Sequence, residues 1–201
     1  MASADRRTTA GASLFAAPEM LRYFAELDEL LTQSGVVEQL HLHIAGGAVI
    51  ATKSDSRLTA DVDVISEGMT ARLRRSVEEI SRRHPGLRAD WLNDGAKLKR
   101  VNLPIEPERI YTGHSLVIDS AGDRYVLAMK LVSGRPIDEA DCELLIRGLG
   151  IRTETELLDL LTQAVPAHLQ TPAMGYFAAD RLDSAYPSRR SQRRSSSGPS
   201  L

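Results

Sequence analysis

Between Ile44 and Ser66 the chain reads IAGGAVIATKSDSRLTADVDVIS, and this stretch restricts its folding more than any other. The preceding VEQLHLHI, 37–44, alternates polar and apolar residues and reads as a strand ending at Ala45-Gly46-Gly47. Ala48 to Ala51 is short and apolar, as a helical turn opened by the glycines would be. After the polar loop TKSDSR, the run TADVDVIS, 59–66, reads as a second strand. Successive strand side chains point to opposite faces, so Asp61 and Asp63 share one face while Val62 and Val64 turn to a core. Two carboxylates spaced this way stand roughly 7 Å apart by strand rise and repel unless a cation lies between them. Magnesium takes carboxylates together with substrate phosphates. Glycines at the start of a helix let a phosphate approach backbone N–H groups. A phosphate cradle followed by paired carboxylates is the equipment of metal-assisted phosphoryl chemistry.

The surrounding pattern mixes helices with few strands. Met20, Leu21, Phe24, Leu27, Leu30 and Leu31 recur at helical spacing, which predicts an amphipathic helix over 17–33. MTARLRRSVEEISRRH, 69–84, is a basic helix stopped by Pro85-Gly86. Trp91 to Asp94 reads as a short helix or turn, and SLVIDS, 115–120, as a strand. Arg124 to Ser133 is apolar nearly all round, the mark of a buried helix, with Lys130 inside it. Gly134-Arg135-Pro136 breaks it. Further helices are expected over Ile137–Leu149 and around Leu157–Leu161. The fold class is therefore α/β or α+β: a small mixed sheet, flanking helices and a helical C-terminal half. The expected division is a flexible leader at 1–16, a core at 17–120, a helical part at 121–180 and a disordered basic tail at 181–201.

Composition excludes several classes. With one cysteine, Cys142, among 201 residues there is no disulfide framework and no multi-cysteine zinc site. No stretch approaches the ~20 apolar residues of a membrane span, and the first residues have no apolar run of the secretory kind. The expectation is a cytoplasmic protein with no membrane partner. Net charge is −2, yet five arginines and one acid, Asp183, follow residue 180, so an acidic body carries a basic tail. That tail has too few apolar groups to repay its ordering; its other reading is a phosphate-binding arm. Nine basic residues and four acids lie between Arg72 and Arg100, either a solvated helix face or a track for RNA.

The Gly46, Gly47, Arg57, Thr59, Asp61 and Asp63 pattern resembles the signature of the nucleotidyltransferase (polymerase β-like) superfamily, a Gly-Gly turn before an Arg-x-Thr-x-Asp-x-Asp strand. LAMKLVSGRPIDEADCELL, with Lys130, Arg135, Asp138 and Asp141, resembles a motif of the AbiEii-like branch, which includes toxins of toxin–antitoxin pairs; WLND, 91–94, is similar to a bacterial subgroup of it. The resemblance covers roughly 40–150. It implies that Asp61 and Asp63 bind Mg²⁺ or Mn²⁺. It implies that Gly46, Gly47, Arg57, Thr59, Lys130, Arg135 and Asp138 meet a nucleoside triphosphate, and that Asp141 joins the catalytic set. A third carboxylate is often found on a later strand; Asp119 is the candidate and Asp94 the second. The implied activity transfers a nucleoside monophosphate to a hydroxyl of a tRNA end or a protein, with a cognate antitoxin as a further partner. The alternative is an inactive binding module of the same fold.

Each residue also has a plainer reading. Lys130 is then a lysine whose head reaches water past an apolar stem, Arg135 a cation at a helix C-terminus, and Asp138 and Asp141 acids favoured in a first turn. His41 and His43 share a strand face but lack a third ligand at recognisable spacing. Gly47 to Ser54 lacks the glycine that a P-loop needs before Lys53. Cys142 reads as packing, and no G-x-S-x-G elbow is present.

Overall fold

Helix α1 spans Ala17–Gln33, as its apolar spacing requires, with Pro18 in its first turn and the Glu19 carboxylate accepting from the Ala16 N–H at 3.2 Å. The computed structural model describes residues 13–35, 37–54, 56–96 and 101–187. These form two units. One holds the described residues up to Ala96 together with Arg109–Asp119; the other holds those of Lys97–Glu108 and from Ser120 onward. The fold is α+β.

The first unit contains β1 (Leu40–Ala45), α2 (Gly47–Ala51), β2 (Val62–Val64), α3 (Ala71–Arg83), β3 (Leu92–Asn93) and, but for an end residue each, β4 (Glu108–Thr112) and β5 (Leu116–Ser120). The strands form one mixed sheet in the order β3-β2-β1-β5-β4. β1 and β2 are antiparallel, with Ile44 opposite Val64 and Ala45 opposite Asp63. β2 and β3 are parallel, with Asp63 opposite Asn93. Leu42, Ile44, Val62 and Val64 are buried, and so are Phe24, Leu27, Leu73 and Val77 of the mutually packed α1 and α3. Trp91 is fully buried among them; its indole N–H donates to the Val77 carbonyl at 3.2 Å, and its ring lies 6.1 Å from that of Phe24.

Three expectations change here. Residues 91–94 hold a strand where the sequence predicts a helix or turn. Two strand residues are too few to show a period, and the pairing is set by the Val62 N–H donating to the Trp91 carbonyl at 2.6 Å. β4 has no counterpart in the sequence reading: it is an edge strand with exposed ends, charged at Glu108 and Arg109, and no clean alternation. The expected flexible leader is structured at its end. Phe15 is buried, exchanges backbone hydrogen bonds with Thr59 at 2.9 and 3.0 Å, and stacks edge-on against Tyr23 and Trp91. Residues 1–12 lie outside the described residues.

The second unit packs α4 (Asp123–Ser133), α5 (Glu139–Gly148), α6 (Glu154–Ala164) and α7 (Pro172–Ala185) on one another. Gly134, in the left-handed region at φ 58°, ends α4. Pro136–Asp138 is a single 3₁₀ turn before α5, so the helix expected from Ile137 begins more tightly wound. Residues 181–185, expected within the disordered tail, close α7. Arg181 is buried there and ion-paired with Glu139, Glu143 and Asp180, an anchorage between distant segments that tail composition does not reveal. The tail from 188 lies outside the described residues. No helix among the described residues is long and apolar enough to cross a membrane.

Candidate functional site

β1 delivers its end to the face of β2. Gly46 takes φ 74° and ψ −150°, a conformation open to glycine, and so turns the chain from β1 into α2. Because Ala45 lies opposite Asp63, this turn runs directly beside the Asp63 carboxylate. A Cβ at position 46 would stand 2.7 Å from Asp63 Oδ2, and one at position 47 would stand 3.1 Å from Thr59 Oγ1. Thr59 is buried, and its hydroxyl donates to the Asp61 carbonyl at 2.8 Å, which fixes the bend feeding β2. The alternation holds as read: Val62 and Val64 are buried, Asp61 and Asp63 half-buried. Five residues of the Gly-Gly and Asp-x-Asp pattern thus meet in one place: Gly46, Gly47, Thr59, Asp61 and Asp63. Arg57, half-buried, closes a turn through its N–H to the Ser54 carbonyl at 3.0 Å.

An arginine that the sequence reading counted only within a basic stretch joins this group. Arg88, in the loop between α3 and β3, donates through Nε and Nη2 to the two Asp90 oxygens at 2.9 and 2.8 Å. Its Nη1 faces Asp61 Oδ2 at 3.8 Å. The hydrogen bond and charge of Asp90 raise the Arg88 pKa further above its usual value, and the charges of Asp61 and Asp63 add to that rise. Conversely, Arg88 holds the Asp90 carboxyl below its ordinary range. The local signal was the Arg-x-Asp spacing; the approach to Asp61 depends on β2–β3 pairing.

The acids considered as a third carboxylate lie as follows. Asp119, on β5, accepts from Arg109 Nε at 2.5 Å; β5 borders β1 on the side away from β2. Asp94 accepts two bonds from Arg74 Nη2 at 3.0 and 2.9 Å. The strand residue paired with Asp63 across β2–β3 is Asn93, whose Oδ1 accepts from the Gly95 N–H at 2.8 Å. His41 is exposed and His43 half-buried on β1. Of the basic stretch, Arg82 and Arg83 pair with glutamates of their own helix, Arg72 and Arg75 are exposed, and Lys97, Lys99 and Arg100 lie outside the described residues.

The second unit gathers its own four residues. Lys130, 5% exposed, donates through Nζ to Asp138 at 2.7 Å and to Asp141 at 2.8 Å. Arg135 Nε donates to the other Asp138 oxygen at 2.7 Å. Burial alone would push the Asp138 carboxyl up, but the hydrogen bonds from Arg135 and Lys130 outweigh it and hold the pKa down. The Lys130 head is therefore inside, between two carboxylates, and not drawn out to water. Cys142 beside them is fully buried, and desolvation pushes its thiol up to about 12, the state of a packing residue.

Among the described residues, no group of three or more His, Cys, Asp or Glu side chains is arranged to hold a metal ion. The donor set at β2 still suits magnesium or manganese, which are held by one or two carboxylates with substrate phosphates filling other positions. The Asp63 carboxylate stands where a side chain at Gly46 would begin, so it is bordered there by bare backbone. Compared with family profiles, curated proteins and solved structures, the chain matches none.

Proposed function

We propose that this protein is a metal-dependent nucleotidyltransferase of the polymerase β-like kind, akin to the AbiEii-like toxin branch. The observation that carries the reading is the apposition of Gly46 to Asp63 and of Gly47 to Thr59. A carboxylate pair on one strand meets the bare backbone that ends its neighbouring strand. Chance occurrence of a lone Asp-x-Asp or a lone Gly-Gly gives no reason for such contact.

In this reading Asp61 and Asp63 orient a cation and the triphosphate bound to it. Such a cation supplies neutralisation of charge on the transferring group. The Gly46-Gly47 backbone lets the phosphate chain lie close. An acceptor hydroxyl attacks the α-phosphorus, the bond to the β-phosphate breaks, and pyrophosphate leaves while the hydroxyl proton passes to a base. Positioning and electrostatics carry such catalysis. A tRNA end or a protein hydroxyl is the proposed acceptor, and an antitoxin the proposed partner.

One observation favours a binding module instead: Asn93, an uncharged residue, sits opposite Asp63 on β3. The two readings part in one experiment. Wild type and Asp63→Asn are melted with and without Mg²⁺ and mixed nucleoside triphosphates, and pyrophosphate is assayed with candidate acceptors. The transferase gains thermal stability by mass action and releases pyrophosphate, and the variant loses both. A stabilised wild type that never releases pyrophosphate is the module. Equal stabilisation of both proteins removes Asp63 from the site.

A further inference from the structure

We infer that Arg88 makes the Asp61–Asp63 site prefer a divalent cation carried on a phosphate chain over the bare cation. The inference rests on the reading of these two aspartates as cation ligands. Arg88 is built into its place. Its carbonyl accepts from the Trp91 N–H at 3.2 Å, closing a turn, and Trp91 is locked in the core of the first unit. Its guanidinium is fixed by the two-point contact with Asp90, which a carboxylate and a planar fork make most rigidly.

That contact uses Nε and Nη2 and leaves Nη1 directed at Asp61 across 3.8 Å, an ionic approach longer than a hydrogen bond. The Arg88 charge is thus held at the rim of the carboxylate pair without being consumed by it. Its side chain is 40% exposed, so an incoming group reaches it from solvent.

A fixed positive charge in this position acts with opposite sign on two ligands. It stands beside the same carboxylate that a divalent cation would take, and it repels that cation when it arrives alone. It attracts a phosphate chain, to which a guanidinium donates in a matched planar geometry. When both arrive together, the phosphates lie between two cations and the repulsion is cancelled. The consequence is coupling: cation and phosphate chain bind more tightly together than their separate affinities imply. Asp90 sets its strength by sharing the guanidinium.

The test measures binding, not turnover. Wild type, Arg88→Gln, Arg88→Lys and Asp90→Asn are titrated with Mn²⁺ alone, followed by electron paramagnetic resonance. The same proteins are then titrated with a preformed complex of Mn²⁺ and inorganic tripolyphosphate. Arg88→Gln is expected to bind bare Mn²⁺ roughly three- to tenfold more tightly, the scale of a screened charge a few ångströms away. It is expected to bind the complex more weakly. Arg88→Lys keeps most of the wild-type preference. Asp90→Asn releases the guanidinium toward Asp61 and binds bare Mn²⁺ more weakly than wild type, the opposite sign to Arg88→Gln.

If Arg88→Gln leaves the ratio of the two affinities unchanged while wild type binds both ligands, Arg88 has no such role and the cation site stands without it. An Asp90→Asn variant with tightened Mn²⁺ binding overturns the inference as well. Should wild type bind neither ligand, the cation-site reading of Asp61 and Asp63 falls, and this inference falls with it.

Discussion

Gly46 and Asp63 occupy one space between them: the carboxylate of Asp63 stands where a side chain at position 46 would begin, 2.7 Å from a Cβ built there. The pairing of Ala45 with Asp63 makes this unavoidable, because it carries the next residue of β1 past the β2 carboxylate. The backbone at Gly46 is therefore constrained twice, by a φ of 74° and by its neighbour.

Substitution at the two glycines should separate these constraints. Gly46→Ala meets both strain and clash, and should lose about 1–3 kcal/mol, the cost of a residue held in a sparsely populated conformation. For a chain of this size that is a fall of roughly 2–12 °C in melting temperature. Gly47→Ala meets only the Thr59 hydroxyl at 3.1 Å and should cost less. Differential scanning calorimetry of the two variants checks the order; a Gly47→Ala protein as damaged as Gly46→Ala would contradict it.

Lys130 should matter to stability far more than an exposed lysine does. Its head is held between Asp138 and Asp141 with 6% of the side chain exposed. Lys130→Met removes the cation that both buried carboxylates share, and should cost ~3–5 kcal/mol in denaturant unfolding. Adding Asp138→Asn and Asp141→Asn to Lys130→Met should recover much of the loss, since the buried charges leave together. A single variant as stable as wild type would show that the lysine is dispensable to the fold.

Acid should unfold the protein partly through Asp138. Its pKa in the folded state lies below the ordinary 3.8, because Arg135 and Lys130 outweigh burial. A lowered folded value means that this contribution is present above the unfolded pKa and is lost as pH falls through the folded one. Urea midpoints followed from pH 6 down to pH 2.5 should therefore drop more steeply for wild type than for Asp138→Asn. Parallel curves would place the acid sensitivity elsewhere.

The sequence alone determined those elements whose residues carry their own period or stop signal. Met20, Phe24, Leu27 and Leu31 mark α1 because a buried stripe every three to four residues has no other regular solution. Asp61 and Asp63 share a face for the same reason at period two, and Gly134-Arg135-Pro136 ends α4 through local backbone preference. The Gly-Gly and Asp-x-Asp pattern was legible too, since every member lies within eighteen consecutive residues, 46–63. What only the tertiary structure decided are relations between segments that carry no local mark. Phe15 reads as leader until it pairs with Thr59, and Leu92-Asn93 is a strand only because Val62 bonds to Trp91. Arg181 reads as tail until Glu139 and Glu143 hold it. Arg88 is one charge among nine until the β2–β3 register brings it to Asp61. The plainer reading of Lys130, a head reaching water past an apolar stem, gives way to a head buried by two carboxylates that arrive from the next turn and helix. A periodicity reports which face is apolar, but the partner that meets a polar group on that face is supplied by chain folding over longer distances.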